Sequence, residues 1–219
     1  VTKENNEKAI SDLFIRTGRI QYIIIAFILT GFVVFGKSFI RLWAGSDYED
    51  AYGITLCFFI PMTVPLIQNL GIIILQARNQ MKFRSTLYVV IAFVSLVISI
   101  PLSKQYGGIG CAISIALALT TGQIIVMNIY YHRVIHIDIL DFWKEIGKMS
   151  LVPFAIGSLS FYLFCIYEIH TVQIFIVCIF AFSCIYVPLF WFFGMNAYEK
   201  ELFVSPVRRF VGRLQKNLQ

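Results

Sequence analysis

The 219 residues are 58% apolar, 16% aromatic and only 14% charged, with a mean hydropathy of +0.78. Soluble domains carry roughly 45–50% apolar and about 25% charged residues, so this composition excludes a disordered chain and argues against a soluble globular enzyme. In so apolar a chain the net charge of +6 points to an anionic membrane surface rather than to nucleic acid.

The chain opens on Val1, not Met, and is read as part of a longer one. Residues 1–19 are polar and charged, a poor match to a signal peptide, and are expected to form a cytoplasmic N-terminal segment. After them come six runs free of Asp, Glu, Lys, Arg and His: residues 20–36, 51–77, 85–103, 105–131, 149–167 and 171–198. A spanning helix needs about 20 mostly apolar residues, and helices apolar all round lie in lipid or are buried. The expectation is an all-α integral membrane protein with six transmembrane helices. Four lie in residues 20–131 and two in residues 149–198.

Loop charge gives the orientation. If alternate loops face alternate sides, 15 Lys and Arg fall on one side and 3 (Lys37, Arg41 and Lys104) on the other. Basic residues concentrate in cytoplasmic loops, so both termini are expected in the cytoplasm.

The second run is the most irregular. Pro61 and Pro65 lie one turn apart. Each removes a backbone donor and displaces its i−4 carbonyl, which predicts a kink. Gln68, Asn69 and Gln76 follow. These five residues are candidates for lining or gating a hydrated cavity; the alternative is that the amides hydrogen-bond between helices. The short turn after them carries Arg78, Lys82 and Arg84. Positive-inside anchoring explains them, and contact with lipid or a diphosphate headgroup is a secondary reading.

Gly107-Gly108-Ile109-Gly110 opens the fourth run, with glycines that permit a tight turn and close packing. The run carries Thr120, Thr121, Gln123 and Asn128. Residues 132–148 form the longest cytoplasmic connection. Within it Ile139, Phe142, Trp143 and Ile146 share one helical face, with Asp138, Asp141, Lys144 and Glu145 on the other, which predicts an interfacial helix. Residues 199–219 read as a basic cytoplasmic tail in which Arg208, Arg209, Arg213 and Lys216 accompany Phe210, Val211 and Leu214.

Other candidates for chemistry are thin. The five cysteines all lie inside apolar runs, without a CxxC, and read as small buried hydrophobes. His132 and His136 have the i, i+4 spacing of metal ligands, but the chain has only one more histidine, His170. Asp47, Glu49 and Asp50 supply too few fixed ligands for a cation. The six runs hold no charge, so no proton-relay carboxylate is placed in them. No metal, cofactor or nucleic-acid partner is expected.

Three stretches carry a resemblance. Gly36-Lys-Ser-Phe-Ile-Arg-Leu-Trp-Ala-Gly45, followed by Tyr48, Ala51 and Tyr52, resembles the I-x-L-W-x-G…Y…A signature of polysaccharide flippases of the Wzx type. Residues 74–82, a helix end with a basic turn, are similar to that family. So are residues 107–112, which match its G-x-x-G-x-A helix start. The resemblance covers residues 9–143, and beyond them only hydropathy matches. It implies the second-lobe portion of a two-lobed exporter fold, partnered by an N-terminal lobe. The activity it implies is flipping of undecaprenyl-diphosphate-linked oligosaccharide across the bacterial cytoplasmic membrane for surface polysaccharide, with lipids around it. Alternatives are a multidrug exporter of the same superfamily or, in another class, a membrane enzyme of polysaccharide assembly. The short outer loops argue against the enzyme.

Overall fold

The computed structural model describes residues 2–166, residue 169 and residues 171–205, with side chains from residue 7 onward except at 165 and 166. Every element among them is helical. Helix α1 runs unbroken from Thr2 to Ala44. At 1.5 Å per residue it is about 65 Å long, roughly twice the hydrocarbon thickness of a bilayer. The expected N-terminal segment, from residue 2, is the first part of this helix. Gly45, at φ 101°, ends it in a conformation that side chains disfavour. A 3₁₀ turn (Ser46–Tyr48) leads into α2 (Asp50–Ile67).

Pro61 and Pro65 lie inside α2. The second apolar run breaks at Gln68 and Asn69, and α3 (Leu70–Ala77) completes it. The break falls one turn after Pro65, where helical hydrogen bonding has already been weakened.

Helical residues then run from Met81 to Arg133 as α4 (Met81–Leu119), a π-helical turn (Thr120–Val126) and α5 (Met127–Arg133). This stretch is not one rod. Gly107 has φ 59° and ψ −136°, a combination essentially restricted to glycine, and the chain reverses there. A Cβ at Gly110 would stand 2.2 Å from the Leu102 carbonyl oxygen. Ser114 Oγ reaches the Ser95 carbonyl at 3.4 Å, and the Phe83 and Tyr130 rings stack at 4.0 Å. These contacts step outward from the turn as an antiparallel hairpin must.

After His136, at φ 60°, come α6 (Ile139–Ile166) and α7 (Val172–Phe193). Residues 197–205 are helical and are labelled α8. The segment expected as an interfacial helix is the first part of α6, continuous with the apolar run that follows. Its apolar face meets protein: Phe142 and Ile146 are buried in a cluster with Phe14 of α1, Ile67 of α2 and Tyr131 of α5. A second cluster joins α1, α6 and α7 through Phe35, Ile156, Phe182 and Tyr186. Helix α1 serves both clusters and is the axis of the bundle.

The outside is apolar. Phe93, Phe154, Phe180 and Phe193 are each at least two-thirds exposed, an arrangement that lipid favours and water does not. Five helical stretches are long and apolar enough to cross a membrane: Glu7–Ala44, Ser46–Ile67, Met81–Arg133, Ile139–Phe164 and Val172–Phe193. The third is the hairpin. The basic tail beyond residue 205 lies outside the described residues.

Candidate functional site

The amides of the second run separate. Gln68 is buried, and its Nε2 donates to Asn128 Oδ1 at 2.8 Å. The Trp143 indole N–H donates to the same oxygen at 3.3 Å. One carbonyl thus ties the α2–α3 break to α5 and α6. The interhelical alternative describes Gln68: its amide is consumed in packing and does not face an open cavity. Asn69 and Gln76 are exposed, Pro61 is buried and Pro65 half-buried. The structure does not bring these five side chains to one site.

The basic turn also divides. Lys82 is exposed. Arg78 donates to the Ile135 carbonyl at 3.2 Å and so ties the end of α3 to the turn after α5. Arg84 is buried, although the sequence reading groups it with the headgroup candidates. Its guanidinium donates to the Tyr88 hydroxyl at 2.9 Å and the Tyr131 hydroxyl at 3.3 Å, and lies over the Tyr88 ring. Such phenol and π contacts spread a cation's charge when no carboxylate is at hand. Arg84 braces the base of the hairpin.

Histidines 132 and 136 do not share a helical face, because α5 ends at Arg133. Among the described residues no three His, Cys, Asp or Glu side chains gather as a metal site would require. Gln123, in the π turn, is buried, and its Nε2 meets no acceptor among the described residues.

The most heavily charged cluster was not among the candidates that the sequence offers. Arg19 of α1 is buried and forks onto Glu199 of α8, Nε to Oε1 at 2.6 Å and Nη2 to Oε2 at 3.2 Å. Its Nη1 also donates to Glu145 of α6, which in turn pairs with Lys148 at 2.6 Å. Glu199 Oε2 accepts the Asn196 backbone N–H at 2.8 Å, the capping-box bond that starts a helix. Arg16 lies over the Tyr198 ring. Asp12 lines the same cavity of about 370 Å³. Glu145 precedes the fifth apolar run. The Lys148 ammonium, hydrogen-bonded to it, holds its carboxyl below the ordinary range, and the charge of Arg19 adds to the pull. The Asn196-x-x-Glu199 spacing was the available signal; Arg19 and Glu145 had none.

At the opposite end Arg41 pairs with Glu49 at 2.7 Å and Lys37 with the same carboxylate at 3.3 Å. These two cations line a cavity of about 220 Å³. Below it lies an apolar cleft of about 580 Å³ between α1, α2 and α6. The two share Val33, Tyr52 and Phe161 as walls. The cleft's deep end carries the hydroxyl pair Tyr22 and Ser150, 2.6 Å apart.

Compared with known families, curated proteins and solved structures, the chain matches none.

Proposed function

We propose that the chain is a membrane-embedded part of a lipid-linked oligosaccharide flippase and crosses the bilayer six times. The fold-back at Gly107 supports the count. It divides residues 81–133 into two arms of about 39 Å each, and each is long enough to span. The skew of basic loop residues supports an orientation with both termini in the cytoplasm.

The observation that carries the functional reading is the placement of the motif glycines. Gly45 ends the first stretch that resembles Wzx-type flippases, and Gly107 begins the third. Both take positive φ, and a Cβ at Gly108 would stand 3.4 Å from Ile54, near the start of α2. Two stretches that resemble the family thus make adjacent turns at one end of the bundle, and the second similar stretch makes the Asn79 turn at the other. In this reading the six helices supply one wall of a path, and an N-terminal lobe supplies the other. The sugar–diphosphate headgroup of an undecaprenyl-linked repeat unit passes between them as one lobe rocks against the other, while the prenyl tail stays in lipid. The membrane is the bacterial cytoplasmic membrane, and the product feeds surface polysaccharide. No covalent step is needed.

The test is deletion of the gene in its host. Surface polysaccharide is expected to fall, with lipid-linked repeat units accumulating on the cytoplasmic leaflet, and the gene supplied in trans is expected to restore both. Unchanged polysaccharide and unchanged leaflet distribution would overturn the reading.

A further inference from the structure

Helices α2 and α3 leave one line of side chains uncovered. Phe59, Met62, Leu66, Asn69, Ile73 and Gln76 follow one another at intervals of three and four residues in alternation, and all six are exposed. A repeat averaging about 3.5 residues is the seam along which two helices pack knobs into holes. The break at Gln68 does not interrupt the line, because Asn69 is back at helical angles, φ −58° and ψ −32°.

The apolar members of the line suit lipid, and Asn69 does not. About 13 Å of helix separates it from Arg78, and the headgroup layer is only about 6 Å deep. With the basic turn at the membrane surface, the Asn69 amide lies inside the hydrocarbon core. Asn69 sits at the N-cap of α3 without a side-chain capping bond, and its side chain bonds to no other described residue. An amide left unbonded in hydrocarbon is costly, so the seam calls for a protein partner with a hydrogen-bonding group at that depth. A second copy supplies one by symmetry. Two chains inserted the same way, related by a two-fold axis along the membrane normal, present Asn69 to Asn69 at one level. An amide holds both donor and acceptor, so each can donate to the other. Residues 51–77 carry no charge, and pairing two copies brings no like charges together along the seam. One polar residue in an apolar seam also fixes its register. Gln76, next but one to Arg78, stands at the headgroups, where water bonds it.

We infer that the exposed seam of residues 59–73 is a dimerisation surface for a second copy of this chain, joined at Asn69. The contact needs a bilayer but not a flippase, so it stands or falls separately from the transport reading.

The experiment is disulfide trapping of the full chain in its native membrane, in a background with its own cysteines replaced. Leu66→Cys and Ile73→Cys are each expected to give an oxidant-dependent species of twice the chain mass. Phe93→Cys and Phe180→Cys, more exposed but off the seam, should stay monomeric. Energy transfer between two labelled populations in liposomes, at falling protein-to-lipid ratio, then gives the dissociation constant. Asn69→Leu should weaken association about fivefold, the weight of an interhelical hydrogen bond in a membrane, and Gln76→Leu should leave it unchanged. Absence of the dimer at both seam positions would overturn the surface. So would equal trapping at Phe93 and Phe180, which marks random collision. An Asn69→Leu chain that associates as tightly as the parent would overturn it too, because apolar packing alone does not select a second copy. A cross-linked species of any other mass means that the seam meets a different protein, and the assignment to a second copy fails.

Discussion

Arg19 and Glu199 stand 180 residues apart and meet in a buried two-point ion pair. The fork fixes α8 against α1, and the contact to Glu145 adds α6. Breaking a buried pair outright costs about 3–5 kcal/mol; here Glu145 still faces Arg19 when Glu199 is removed, so the cost falls at or below the lower end of that range. Glu199→Ala is therefore expected to lower the unfolding midpoint in detergent. The double replacement Arg19→Met with Glu199→Leu removes both charges and should recover most of that loss. A Glu199→Ala variant as stable as the parent would show that the Arg19–Glu199 fork does not hold α8 in place, Glu145 alone sufficing for Arg19.

The same cluster sets a pH dependence. The Glu145 carboxyl is held below its ordinary value of 4.5 by Lys148 first and Arg19 after it. A carboxyl with a depressed folded pKa stabilises the fold fully above its unfolded pKa, and that contribution fades as pH falls through the folded value. Stability in detergent should thus be flat from neutrality down to about pH 5 and fall below it. Glu145→Gln should flatten the fall. An equally steep acid loss in that variant would assign it to other carboxyls.

Much of the architecture was legible in composition and spacing, because lipid leaves helices little choice: every backbone polar group must be bonded within the segment. Each of the six uncharged runs is helical over most of its described residues. What hydropathy could not supply was continuity. Residues 2–19 and 139–148 look like surface segments by charge, yet each is joined without a break to an apolar helix. Nor could local pattern find partners far apart in the chain. Gln68 looked like a cavity amide because Asn128, 60 residues on, was not yet its neighbour. Arg84 looked like a loop cation because Tyr131 was not yet above it. The Gly107 turn was visible as a glycine cluster, and the structure adds the backbone reversal that demands it.

The Gln68–Asn128 bond should behave as packing. Interhelical hydrogen bonds in membranes contribute about 0.6 kcal/mol on average, with a maximum near 1.7 kcal/mol. Gln68→Leu is expected to destabilise the fold within that range, measured as a shift in the unfolding midpoint. Gln76→Leu, at an exposed position, should leave the midpoint unchanged. Equal effects at the two positions would contradict the assignment.

The hairpin at Gly107 makes the sharpest claim about topology. With six crossings, Ser46 and Gln105 lie on the outer side and Asn79 on the inner side. In a background with all five cysteines replaced, Ser46→Cys and Gln105→Cys should react with a membrane-impermeant maleimide in intact cells, and Asn79→Cys only after permeabilisation. A single crossing by residues 81–133 would instead bury position 105 in lipid and leave it unlabelled in both conditions. The turn itself depends on glycine. Gly107→Val places a branched side chain at φ 59° and should cost about 1–3 kcal/mol, because the Leu102–Gly110 and Ser95–Ser114 contacts hold the two arms in register and leave the backbone no room to relax.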